Sequence, residues 1–178
     1  MSRKLSGMLL AGGISALSSS VAYAQEFGAR LNGFEELGAL NAETGAIRSA
    51  GKGTLSLDVD KSQASYTLTY SGLSAPVTQA HIHFGKIHVP GGVMVFFCTN
   101  GGNGPAGTPL CPPSGGTVTG TWTAASVVGP AGQNVTPGDF SALLDALNSN
   151  TAYANIHTTK FPAGEIRGQV RRGDRESD

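Results

Sequence analysis

The chain has 178 residues, 39% of them hydrophobic, with 12 Lys and Arg against 12 Asp and Glu. A formal net charge of +0 excludes capture of nucleic acid or anionic lipid by bulk electrostatics. No G-x-S-x-G, P-loop or G-x-G-x-x-G stands in the strand-to-helix context that its chemistry requires, which excludes phosphate-cradle and α/β-hydrolase mechanisms.

The chain opens with Arg3 and Lys4, then an uncharged run over 5–21, then Ala22-Tyr23-Ala24. A basic start, an apolar stretch and a small-x-small triplet read as a signal peptide over 1–24, cleaved after Ala24. The run is diluted by Ser and Gly and falls short of the ~20 apolar residues a spanning helix needs, so no membrane insertion is expected after cleavage. A periplasmic or secreted location follows. Cleavage removes two of the 12 basic residues and leaves 10 against 12 acidic ones, a net charge of −2. The segment 25–170 then has the size of one domain, and 171–178 is a charged tail expected to fray.

Short alternating runs separated by turn residues predict an all-β, antiparallel sandwich. The predicted strands are 28–34, 54–59, 64–70, 79–84, 93–97, 116–123, 153–157 and 165–170, with a hairpin connection at 58–62. Ala64, Tyr66, Leu68 and Tyr70 alternate with Ser65, Thr67 and Thr69, which gives that strand one apolar face. The two cysteines, Cys98 and Cys111, bracket a Gly-, Pro- and Asn-rich loop, and in an exported chain they are expected to pair. One short helix is predicted over 137–147, with Thr136 as its N-cap, Pro137 in its first turn, and Phe140, Leu143, Leu144 and Leu147 at helical spacing.

Side-chain parity singles out the functional candidates. In the strand 79–84, Ala80, Ile82 and Phe84 face the core, and Gln79, His81 and His83 face the other way. In 152–157, Ala152, Ala154 and Ile156 form the core set, opposite Tyr153, Asn155 and His157. A turn over 158–164 then places His157 near Glu165 and Asn155 near Arg167 on one sheet face. If these strands are neighbours, His81, His83 and His157 converge. Neutral imidazoles suit copper or zinc, and Asn155, Glu165 and Arg167 then stand behind the rings and fix their tautomers. His88, in a Gly- and Pro-rich loop, is the weaker fourth candidate ligand. The competing reading is an ordinary polar sheet face, cross-linked by hydrogen bonds without an ion. Glu165 and Arg167 likewise read as contacts that pin the last strand, since no partner carboxylate or nucleophile marks a catalytic residue.

Ala80-His81-Ile82-His83-x-Gly85, Tyr153-x-Asn155-Ile156-His157-Thr158 and Pro162-Ala163-Gly164-Glu165-Ile166-Arg167-Gly168-Gln169 together resemble the CHRD domain, the chordin-type family common in bacterial exported proteins. The resemblance runs from about Phe27 to Val170. It implies an immunoglobulin-like β-sandwich without an established enzymatic activity. The chain departs from the pattern by an insertion at 86–90, which carries His88, and by a loose match at Phe34-Glu35-Glu36-Leu37. A second, architectural resemblance is to copper–zinc superoxide dismutase, which also sets an HxH pair on a sandwich strand; this chain has four histidines, and no zinc-site set can be assigned.

Two functions follow from these residues. The first is a non-catalytic binding or structural component of the cell envelope or extracellular space, with a protein or envelope partner. The alternative is an envelope protein that binds copper or zinc through His81, His83 and His157, for metal handling or redox protection.

Overall fold

The computed structural model describes residues 24–37 and 45–173. The expected signal peptide, apart from Ala24, and the tail beyond Gly173 lie outside the described residues. The elements are β1 (Gln25–Asn32), β2 (Lys52–Val59), β3 (Ala64–Ser71), β4 (Val77–Phe84), β5 (Gly92–Thr99), β6 (Gly116–Trp122), α1 (Phe140–Asn148), β7 (Ala152–Thr158), β8 (Ile166–Gln169) and β9 (Arg171–Arg172). The all-β antiparallel fold with a single short helix holds.

β2 and β3 show why. Gly53, Leu55, Leu57 and Val59 alternate with exposed polar residues, as do Ala64, Tyr66, Leu68 and Tyr70, and the register pairs inward residue with inward residue down to Val59 and Ala64. The Asp60 carboxylate closes the hairpin by accepting from the backbone N–H groups of Ser62 and Gln63 at 2.7 and 2.9 Å.

The strand order is β5-β4-β7-β8-β1-β2-β3-β6, with β9 paired to β1. The two halves of this sheet join through a single residue pair of β1 and β8, Asn32 with Arg167. The far edges approach each other: Trp122 Nε1 donates to Phe96 O at 2.7 Å and Tyr66 Oη to Phe97 O at 2.8 Å. The sheet therefore curls over one core, in which Leu57, Leu68, Ile82, Phe97 and Ile156 are fully buried.

The helix begins later than the sequence suggests. Asp139, not Thr136, is its N-cap and accepts from the Ala142 N–H. Gly138 sits at φ +89° and donates its N–H to Val127 O, which ties 136–138 into a turn instead of a first helical turn. Phe140, Leu143 and Leu147 face the core as expected; Leu144 is only partly buried against it, and Ala146 is buried as well. Two further differences concern the ends of the domain. The predicted strand 28–34 is shifted: it starts at Gln25, and Gly33–Glu35 form a 3-10 turn capped by the Asn32 side chain. The tail does not fray at its start, because Arg171 and Arg172 pair with Gly28 and Phe27. Cys98 and Cys111 form a disulfide. No helix among the described residues is long and apolar enough to cross a membrane.

β4 and β7 depart from simple alternation, since both of their faces are buried; every residue of β7 is buried. The outer face is roofed by three loops, seen in the bonds that Glu36, Gly91 and Pro162 make to it. The candidate site lies beneath that roof.

Candidate functional site

β4 pairs with β7, and the register sets His83 opposite Tyr153, His81 opposite Asn155 and Gln79 opposite His157. Parity puts all of these side chains on the roofed face, so three imidazoles from two strands meet. Their rings are close: centroids lie 5.3 Å apart for His81 and His83, 5.0 Å for His81 and His157, and 5.9 Å for His83 and His157. One ligand nitrogen from each lies within 4.8 Å of the others. All three are buried, at 2%, 8% and 6% exposure for His81, His83 and His157.

Backbone carbonyls fix two of the tautomers. A carbonyl oxygen only accepts, so His83 Nδ1–H donates to Gly91 O at 2.9 Å and His157 Nδ1–H donates to Pro162 O at 2.9 Å. Each neutral ring then presents its Nε2 lone pair. His81 Nδ1 stands 3.3 Å from His157 Nε2. Two nitrogens that share one ion at ~2.0–2.1 Å with tetrahedral angles lie ~3.3 Å apart, so this edge matches a common metal. His81 Nε2 and His83 Nε2 are buried with no hydrogen-bond partner.

Electrostatics keep the rings neutral. Burial, reinforced by the neighbouring His157 and His83, pushes His81 down to about 2. Burial pushes His83 down to about 4, against the Gly91 hydrogen bond, which raises it. Burial also lowers His157, against the Pro162 hydrogen bond. Neutral imidazole is the ligating form. The donor set, its protonation and its orphaned nitrogens fit a transition metal.

The surrounding residues sort differently from expectation. Asn155 and Arg167 are register partners on the roofed face. The Arg167 guanidinium donates to Lys86 O and Val89 O and lies 3.4 Å over the Tyr153 ring, while His83 stacks on the same ring at 4.8 Å with the planes 3° apart. It orders the loop above the site and bonds to no imidazole. Glu165 faces away from His157. Its carboxylate accepts from Thr158 Oγ1, Ser49 Oγ and the Ser74 N–H, on the opposite side of β7. Burial raises that carboxyl, but the three hydrogen bonds outweigh it and leave it below its ordinary value. The expectation that Glu165 shares a face with Arg167 and stands behind the histidines is therefore corrected. Glu165 lies in a bend, and β8 begins only at Ile166, so period-two alternation does not carry back from Arg167 to Glu165. His88 does not join the cluster either: its exposed side chain lies 3.3 Å from Glu35, on the outside of the roof.

Two residues of the site had no role in the sequence reading. Glu36 accepts from Asn155 Nδ2 and is 4% exposed. It belongs to the segment that follows β1, where no periodic pattern points inward. Tyr153 packs between His83 and Arg167; parity places it on the correct face, but nothing in its spacing signals the stack.

Comparison with known proteins agrees with the arrangement of motifs. A family model described as the CHRD domain matches residues 27–170. The chain belongs to the CHRD domain family. No curated protein and no solved structure matches it, so the likeness to superoxide dismutase gains no support. In this CHRD domain, the HxH segment and the Asn155-Ile156-His157-Thr158 segment are the neighbouring strands β4 and β7, and the block 162–169 supplies the Pro162 carbonyl and Arg167.

Proposed function

We propose that this CHRD domain is an exported, non-catalytic metal-binding protein that holds one copper or zinc ion on His81, His83 and His157. One observation carries the reading: three buried, neutral imidazoles meet, and two of their nitrogens have no hydrogen-bond partner. An unsatisfied buried polar atom costs about 1–3 kcal/mol. Without an ion both nitrogens carry that cost; an ion held by His81 Nδ1, His83 Nε2 and His157 Nε2 relieves His83 Nε2 and leaves His81 Nε2 as the one still unpaired. The disulfide and the signal-peptide reading of 1–24 support export. Among the described residues no paired carboxylate or activated nucleophile accompanies the imidazoles, which supports binding over turnover.

The test is metal retention. Metal-free protein is dialysed with Zn(II), with Cu(II) and, under anaerobic reductant, with Cu(I), then freed of loose ion and analysed for bound metal. One ion per chain is expected, and it is lost in His83→Ala and His157→Ala while His88→Ala keeps it. Wild-type protein that retains none of the three ions would refute the reading.

A further inference from the structure

The metal reading leaves the ion's charge and oxidation state open, and the surroundings of the three histidines decide between them. Resting on that reading, we propose that the site is built for monovalent copper, and that Cu(I) is held in preference to Cu(II) and Zn(II).

Coordination number is the first ground. Among the described residues, the cluster offers three ligand nitrogens and no fourth His, Cys, Asp or Glu atom. Glu165 is committed to Thr158, Ser49 and Ser74 on the other side of β7. Glu36 is held by Asn155 and the Leu37 N–H. The nearby carbonyls of Gly91 and Pro162 are occupied by the ring N–H groups. Tyr153 Oη accepts from the Gly91 N–H at 3.0 Å. Zinc in a closed site takes four ligands, and Cu(II) prefers a tetragonal set. Three nitrogen donors satisfy a trigonal Cu(I) ion.

Water does not readily complete the sphere. The imidazoles are at most 8% exposed, the Phe96 ring meets His81 edge-on at 4.4 Å, and Tyr153 covers His83.

Charge is the second ground. Three neutral imidazoles cancel none of the ion's charge. The cation Arg167 stands one aromatic ring away, stacked on Tyr153, and Tyr153 is stacked on His83. Desolvation scales with the square of charge, so burying a divalent ion costs about four times as much as burying a monovalent one of similar size. Its repulsion from Arg167, offset in part by the Glu36 carboxylate, also doubles. Both effects favour the ion of lower charge.

The experiment is a pair of competition titrations on metal-free wild-type protein. Cu(I) is titrated anaerobically against a colorimetric cuprous chelator, and Cu(II) and Zn(II) against chelators of known affinity. The expected result is a Cu(I) dissociation constant lower than either other by on the order of 100-fold. For copper, each tenfold preference for Cu(I) raises the midpoint potential of the bound ion by about 59 mV, which voltammetry checks independently. Arg167→Gln, with the fold verified by circular dichroism, should narrow the gap by strengthening Cu(II) and Zn(II) relative to Cu(I). Equal or tighter binding of Zn(II) or Cu(II) by wild-type protein overturns the preference but leaves the three-histidine site standing. No binding of any of the three ions overturns the site itself.

Discussion

The Asn155 amide donates to the Glu36 carboxylate across 119 residues of chain, and the bond ties the central strand β7 to the segment that follows β1. Asn155 Nδ2 also donates to Ile166 O, so one amide links three segments beneath the roof. Gly164 makes room for the contact. A Cβ there would lie 2.4 Å from Glu36 Oε2 and 2.6 Å from Asn155 Nδ2. Burial raises the Glu36 carboxyl, opposed by the Leu37 N–H, Asn155 and the charge of Arg167.

Truncating Glu36 removes an acceptor from Asn155 and a counter-charge from buried Arg167. Glu36→Ala is expected to lower unfolding free energy by about 2 kcal/mol, in the range for leaving a buried polar group without its partner. Urea denaturation measures it. A variant within about 0.5 kcal/mol of wild type would mean that water replaces the carboxylate without loss.

How much of this was legible beforehand follows from which forces act locally. The histidine convergence is readable because the β4–β7 register runs unbroken from Gln79 to Phe84, and because Ala80, Ile82, Ala154 and Ile156 mark the core face. Parity misplaces Glu165 because that residue lies in a bend before β8, where extended alternation does not hold. Glu36 was invisible because its burial is decided by a loop that folds back onto β7, a long-range contact without a local pattern. The helix start moved because Gly138 bonds to Val127, again a tertiary contact that overrides a good local cap at Thr136.

Arg167 holds the roof through geometry that lysine lacks. Its guanidinium donates to Lys86 O at 3.1 Å and Val89 O at 3.0 Å while it stacks on Tyr153. Arg167→Lys keeps the charge but loses the fork and the planar stack. Opening of the 86–90 turn should become easier by about 1–2 kcal/mol, which raises the open population roughly 5- to 30-fold. Limited trypsin cleavage after Lys86 reports it. An unchanged cleavage rate would show that the turn is held by its own Val89 N–H to Lys86 O bond alone.

The Cys98–Cys111 bridge closes a loop of sequence separation 13 that projects an exposed Leu110. On the chain-entropy model such a closure is worth about 3 kcal/mol. The Asn100 side chain bridges the same loop, since its Nδ2 donates to Val77 O and Cys111 O and its Oδ1 accepts from the Cys111 N–H. The double variant Cys98→Ser, Cys111→Ser should therefore still fold, with a melting temperature lower by roughly 6–12 °C. Calorimetry decides. Loss of cooperative melting would place the bridge among the requirements for folding.

Acid should destabilise the metal-free protein in a window set by its histidines. His81 and His83 fall from 6.5 to about 2 and about 4 in the fold, and His157 is also lowered. Below 6.5 the unfolded chain takes up protons that the folded chain refuses, so stability is fully present above that pH and drains away as pH falls. The slope is about 1.4 kcal/mol per pH unit for each histidine held neutral. Glu36, raised by burial, opposes this slope near its own titration, because there the fold binds the extra proton. Asp60 and Asp139 are held low by hydrogen bonds and begin to contribute only below about 3.8. Urea midpoints measured between pH 7.5 and 4.5 in chelator should fall steadily, and His83→Gln should remove one histidine's share of the slope. A flat profile would mean that the rings accept protons inside the metal-free fold, against the downward shifts that their burial imposes.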